Sequence, residues 1–196
     1  MLTPSHLLTT AALDKAMPRV TIHRQAFLLG SVAPDLPLWI LSLGGIIYYH
    51  FILGWSMAAT SQLMFADLYF HNPFWLALHN LLHAPILLVL GIALIWKRRR
   101  NIGSVDRWLF CFLLACLFHS AVDMFTHADD GPLLLFPLNW SIRFHSPVSY
   151  WDPKYYGREF SQFEMALNGL FVIYLLKARI CRFLRHLKLP VLKWLV

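Results

Sequence analysis

Apolar positions along the chain fall into runs separated by short polar or proline-containing breaks, and the runs predict helices. Residues 4–14 carry a helical stripe, Leu7, Leu8, Ala11 and Ala12, with Pro4 suited to a first turn. A polar turn over residues 14–19, holding Pro18, leads to a second short helix over about 20–33, which Pro34 and Asp35 end. Residues 37–55 form a longer apolar run with Gly44 and Gly45 in its middle, and a moderately apolar helix over 56–70 closes at His71, Asn72 and Pro73. Further apolar runs cover 74–96, about 106–126 and about 162–177. Between the last two, residues 127–161 are rich in Pro, Gly, Asp and Tyr and read as a structured loop. From 179 to 196 basic and apolar residues alternate, predicting an interfacial tail that Pro190 interrupts.

Composition changes the solvent this pattern implies. Of 196 residues, 58% are hydrophobic and only 14% charged, more apolar surface than a single domain of this size hides from water. The expected fold is therefore all-α: an integral membrane helical bundle of about four long apolar helices, plus short N-terminal and interfacial helices, in one domain spanning 1–196. The formal net charge of +7 does not point to nucleic acid, because the cations hug the ends of apolar runs. Lys97, Arg98, Arg99 and Arg100 follow one run, Arg107 opens the next, and Lys177, Arg179, Arg182 and Arg185 follow the last. By the positive-inside rule the 97–107 loop faces the cytoplasm, giving a multi-pass protein of the inner (plasma) membrane with the bilayer as its first partner. Cys111, Cys116 and Cys181 make neither a zinc spacing nor an even disulfide set. The opening MLTPSHLLTT lacks the basic region of a cleaved signal peptide.

Ionisable groups inside these runs supply the candidate chemistry. His79 with His83, and His119 with Asp123, are each four residues apart, so each pair projects from one helix face. Folded up and down, 74–96 and 106–126 are antiparallel neighbours and the two pairs come to the same level. Asp35 and His6 reach that level if the preceding runs also alternate. Imidazole with carboxylate suits zinc and other borderline divalent metals, so His6, Asp35, His79, His83, His119 and Asp123 are the expected metal centre. A proton or ion relay would use the same residue types. His127 and Glu164 are the candidates for catalytic roles: His127, bordering the long loop as His145 does, as an outer ligand or substrate contact, and Glu164, at the start of the last run, as a ligand or general base. His23, His50, His71 and His186 read as interfacial or structural, and Asp129 and Asp130 as solvated turn carboxylates. Nothing matches a GxSxG elbow, a P-loop or a dinucleotide fingerprint.

An ordered set of short motifs carries a family resemblance over roughly residues 1–140. These are Ser5-His6, then Gly30-Ser31-Val32-Ala33-Pro34-Asp35, then His79-Asn80-Leu81-Leu82-His83, then His119-Ser120-Ala121-Val122-Asp123, with Gly131 and Leu134-Leu135-Phe136-Pro137 after them. Together they resemble the predicted membrane-bound metal-dependent hydrolases of the LexA-regulated inner-membrane type, distantly similar to zinc-dependent phospholipase C. The resemblance implies an all-helical fold with the same six residues as its polar centre. The chain departs from the pattern where a second Asp would stand, at Pro37, and in the His79-to-Ala84 motif, which lacks the family's arginine, threonine and serine.

The function these readings imply is a metal-dependent hydrolase with one or two divalent ions, zinc first among them, acting on an ester or phosphoester, with a lipid-borne one favoured by the expected place of the site near a headgroup layer. A non-catalytic membrane protein whose His/Asp cluster fixes the bundle is the main alternative. A transporter is the second alternative, although the chain shows no charge ladder or paired broken helices.

Overall fold

The computed structural model describes residues 1–100 and 104–186. Its elements are helical, and Leu133 with Arg143 form an isolated antiparallel bridge rather than a strand pair. Helix α1 (Thr3–Ala16) starts with proline in its first turn, and α2 (Arg24–Gly30) follows after a non-helical stretch. Helix α3 (Leu36–Gly45) continues as a π-helical stretch, Ile46–Ile52. Helix α4 begins as Met57–Gln62, passes through a second π-helical stretch, Leu63–Leu68, and ends in one turn, Tyr69–His71. Then come α5 (Pro73–Asn80), α6 (Pro85–Ile95), α7 (Val105–Thr126) and α8 (Gly157–His186).

Local chemistry sets the helix starts. Asn72 Oδ1 accepts from the Phe74 and Trp75 amides while Pro73 occupies the first helical position of α5. Ser104 caps α7 by accepting from the Arg107 amide, and Ser56 caps α4 by accepting from the Ala59 amide. The expected helix over 74–96 is not continuous. Pro85 has no amide proton for the carbonyl of Leu81, so α5 ends at Asn80 and α6 starts anew, bent by 43° from it.

That break, with the π-helical stretches, corrects the expectation of about four long apolar helices. Among the described residues α7 alone is long and apolar enough to cross a bilayer, or two spans result if the bent α5–α6 pair counts as one. Leu36–Ile52 is apolar but shorter. These one or two helices do not by themselves support the expected multi-pass inner-membrane architecture. Helix α8 runs through residues 179–186, and the remainder of the expected basic tail, residues 187–196, lies outside the described residues. So do residues 101–103 of the basic loop.

Packing is closest between α2 and α7, where Gly30 makes the approach possible. A Cβ on Gly30 would sit 2.2 Å from the Phe112 carbonyl oxygen and 2.9 Å from the Ala115 methyl. Helix α6 lies along α7 on another side, and α1 lies along α8. Residues 127–156 wrap across the end of α5 rather than hanging free: Asn80 Oδ1 accepts from the Leu133 amide at 2.7 Å, while its Nδ2 donates to Leu76 O. Leu133, Phe136, Leu76 and Ala84 bury one another there.

Candidate metal centre

Helix α7 places His119 and Asp123 on one face, both buried. The turn after α5 brings His83 against them, held by the Ser120 hydroxyl, which donates to His83 O. Asp35, at the head of α3, closes the group from the opposite side, where the chain turns after Pro34.

The donor atoms converge on one point. His83 Nε2 and His119 Nε2 are 3.1 Å apart. From Asp35 Oδ1 the distances to these nitrogens are 3.6 and 3.3 Å, and from Asp123 Oδ2 they are 3.5 and 3.0 Å. A tetrahedral ion with arms of about 2.0–2.1 Å requires ligand–ligand edges of about 3.3–3.4 Å, and these five separations bracket that value. Two imidazoles and two carboxylates are also a donor chemistry that zinc accepts.

Each donor is fixed by what its other side touches. His83 Nδ1 donates to His79 O at 2.9 Å, and His119 Nδ1 donates to Ser31 O at 2.8 Å. A carbonyl only accepts, so both Nδ1 atoms carry protons and Nε2 is left on each ring as the atom that can turn to a metal. Two ring nitrogens 3.1 Å apart are reconciled by a proton on one of them in the metal-free site, or by a metal ion lying between them. The carboxylates are anchored in the same manner: Thr3 Oγ1 donates to Asp35 Oδ2, and His6 Nε2 lies 2.9 Å from Asp123 Oδ1. Burial would raise the Asp35 carboxyl, but His119 and His83 hold it well below the usual carboxylate range. Burial would lower His119, yet Asp123 and Asp35 outweigh it and push the imidazole up to about 10.

The other candidates occupy distinct places. His6 stacks on His119 with ring centroids 3.6 Å apart and bonds Asp123, standing behind the four donors rather than among them. His79 lines the cavity in front of the cluster, but its Nε2 is 3.1 Å from the Tyr69 hydroxyl, which itself donates to Asp130 O. His127 lines the same cavity, with Nε2 3.7 Å from Asp123 Oδ1 and Nδ1 3.1 Å from Asp130 Oδ1. Glu164 is buried, accepts from the Leu2 amide at 2.8 Å and is not among the residues lining that cavity. His145 pairs with Asp129 at the surface, His50 Nδ1 donates to Trp55 O in the turn after its helix, and His71 Nδ1 donates to Asp67 O one turn earlier in its own helix.

Sequence reasoning missed Asp130 and Trp151. Asp130 is not a freely solvated turn residue: Trp151 Nε1 donates to its Oδ2 at 2.8 Å, and His127 faces its other oxygen. Burial would raise Asp130, but His127 and Trp151 keep it below the ordinary carboxylate value. The local signal available was the i, i+3 spacing of His127 and Asp130.

The cavity has a volume of about 790 Å³. Leu38, Trp39, Phe65 and Phe70 make apolar walls, and Asp35, His83 and Asp123 reach its floor. An apolar cleft with a few convergent polar groups is the usual form of a small-molecule site. No curated protein and no solved structure matches the chain. The family model for zinc dependent phospholipase C matches residues 5–193, nearly the whole chain and all four cluster donors. Zinc is thus the cofactor supported both by the donor chemistry and by the match, and the chain belongs to the zinc dependent phospholipase C family.

Proposed function

We propose that the protein is a membrane-bound zinc-dependent hydrolase that cleaves a phosphoester of a lipid. The observation that carries this reading is the set of four fixed donors at the floor of an apolar cavity. His83, His119, Asp35 and Asp123 hold the ion, and His6 and Thr3 fix the outer oxygens of the two carboxylates. A zinc ion there would polarise the phosphoryl group and bring the pKa of a bound water to near neutrality. The reaction adds water across the ester, breaking the bond from phosphorus to the leaving oxygen, which takes a proton. His127, backed by Asp130, stands at the cavity wall and is the residue assigned to that proton transfer. Glu164 is assigned to anchoring the start of α1. The apolar walls suit acyl or glyceryl carbon rather than a free sugar or nucleotide. The motifs shared with the membrane-bound metal-dependent hydrolases, and the many exposed Trp, Phe, Leu and Ile side chains, support work at a bilayer.

The test is turnover of a panel of phospholipids and carboxylic-ester lipids by zinc-loaded protein, with His127→Gln beside the wild type. The reading expects phosphoester cleavage that falls at least 100-fold in His127→Gln while bound zinc stays at one equivalent. Zinc bound with no lipid cleaved would favour a structural metal. Cleavage only of carboxylic esters would overturn the phosphoester assignment.

A further inference from the structure

Between Asp35 and Asp67 the chain carries no Asp, Glu, Lys or Arg, and these residues fold as a helical hairpin. The two legs, α3 with its π-helical extension and α4, press together where Gly45 meets Met64. A Cβ at Gly45 would stand 2.4 Å from Met64 Sδ. Near its base the hairpin joins the body and forms cavity wall, with Leu38 and Trp39 on one leg and Phe65, Tyr69 and Phe70 on the other. Its far end, by contrast, packs chiefly on itself: Ile46–Ile52 touches α3 and the start of α4, and Met57–Gln62 touches that stretch and the rest of α4. Residues 51–59 are all exposed, with Phe51 at 73% and Ile52 at 66%. Ile40, at 70%, and Leu43 extend the same apolar surface down the first leg.

We infer that this hairpin is a bilayer-inserting prong that seats the mouth of the metal cavity at the lipid headgroup layer. This rests on the lipid-hydrolase reading and names the partner of that site as the lipid surface itself. Water is a poor solvent for nine consecutive exposed residues without a charge, and a contiguous apolar patch of this kind marks an interaction surface. The way the tip handles its polar groups favours lipid over a protein partner. The Leu53 amide donates to Tyr48 O and the Trp55 amide to Tyr49 O. His50 Nδ1 donates to Trp55 O, and Ser56 Oγ accepts from the Ala59 amide. Gly54, at φ 71°, allows the reversal. These four bonds are made within the hairpin itself, which lowers the cost of carrying this part of the backbone into a hydrocarbon layer, where no outside donor or acceptor is offered.

Length agrees with the placement. The sixteen residues Leu38 to Leu53 span roughly 20 Å as a helix, more than the ~15 Å of one hydrocarbon leaflet. With the tip in the acyl region, Trp39 lies near the headgroups, where an indole ring is favoured. Its Nε1 is 3.3 Å from Thr3 Oγ1, the same hydroxyl that donates to Asp35. A phospholipid would then move from its leaflet along Trp39 and Phe65 into the cavity without crossing bulk water.

The experiment places a polarity-sensitive dye on Leu53→Cys in a Cys181→Ser background, since Cys111 and Cys116 are buried. Vesicles are made of diether phosphatidylethanolamine and phosphatidylglycerol. The expected result is a blue shift on vesicle addition and quenching by nitroxides on the acyl chains, with little quenching by aqueous iodide. Iodide quenching that vesicles leave unchanged would overturn the proposal, as would protection by self-association alone in vesicle-free buffer. A second arm uses Phe51→Asp with Ile52→Asp, which lies outside the metal centre. Zinc content, helicity and turnover of a short-chain soluble phosphoester should be kept, while hydrolysis of vesicle lipid falls at least tenfold. Equal loss on both substrates would overturn the prong. Wild-type protein that cleaves neither substrate contradicts the hydrolase reading instead, and the dye still reports on insertion.

Discussion

His83 Nε2 faces His119 Nε2 across 3.1 Å while each ring gives its Nδ1 proton to a backbone carbonyl, His79 O and Ser31 O respectively. The fold thereby fixes a proton on Nδ1 of both rings and aims both Nε2 atoms at one point. Removing either ring should empty the site. His83→Ala and Asp123→Ala are each expected to reduce zinc from one equivalent to well below one after dialysis, and lipid turnover at least 100-fold. Metal analysis beside circular dichroism checks this, because a polar cluster with only a structural role would lose folding and have no turnover to lose.

His6 acts one step back from the metal. Its Nε2 holds the Asp123 oxygen that points away from the other donors. His6→Ala is expected to weaken zinc about 10- to 100-fold without abolishing binding, the range usual for groups that orient a ligand. Competition against a chromophoric chelator measures it, and zinc affinity equal to wild type would remove His6 from this role.

Zinc uptake should release protons. Asp123 and Asp35 push His119 up to about 10, so near neutral pH the metal-free ring is protonated and zinc must displace that proton. The sign follows: apparent affinity climbs as pH rises towards 10, by about tenfold per unit between pH 7 and 9, and falls on acidification. Asp35 is depressed, so its carboxylate stays ionised well below pH 4 and adds nothing to this slope. Calorimetry of zinc binding in buffers of different ionisation enthalpy should count about one proton at pH 8 from this ring.

Asn80 separates stability from chemistry. It is buried, with Oδ1 receiving the Leu133 amide and Nδ2 donating to Leu76 O. Asn80→Ala leaves both partners unmet and is expected to cost about 1–3 kcal/mol of folding stability. Denaturant unfolding checks that, and zinc stoichiometry at low denaturant should remain one.

Gly30→Ala links the fold to the site. The added methyl meets the Phe112 carbonyl, forcing α2 away from α7. Ser31, next in the chain, supplies the carbonyl that orients His119. A loss of about 1–3 kcal/mol in stability, typical of overpacking, should come with weaker zinc binding.

Much of the cluster was legible because helical spacing leaves a periodic trace. His119 and Asp123 lie on an unbroken helix, and the proline after Ala33 marked the turn that carries Asp35. His79 and His83 show where spacing misleads. Pro85 ends α5 at Asn80, between the two histidines, so His83 lies in the following turn and joins the metal group while the His79 ring turns to Tyr69. The π-helical stretches leave no period in the sequence, and they helped make residues 37–55 and 56–70 read as ordinary helices. The roles of Ser31 and Thr3 were invisible for a different reason: a backbone carbonyl has no side-chain signature, and a threonine near a helix start has a common local explanation. Asp130 was read as solvated because its partner Trp151 lies 21 residues away in an irregular loop.

His83, His119, Asp35 and Asp123 together can hold one zinc ion. Crystals of the zinc-loaded protein, measured on both sides of the zinc absorption edge, test it most directly. One strong anomalous peak is expected about 2.0–2.2 Å from His83 Nε2, His119 Nε2, Asp35 Oδ1 and Asp123 Oδ2. A peak elsewhere, or zinc-loaded crystals with no peak among these four atoms, would contradict it.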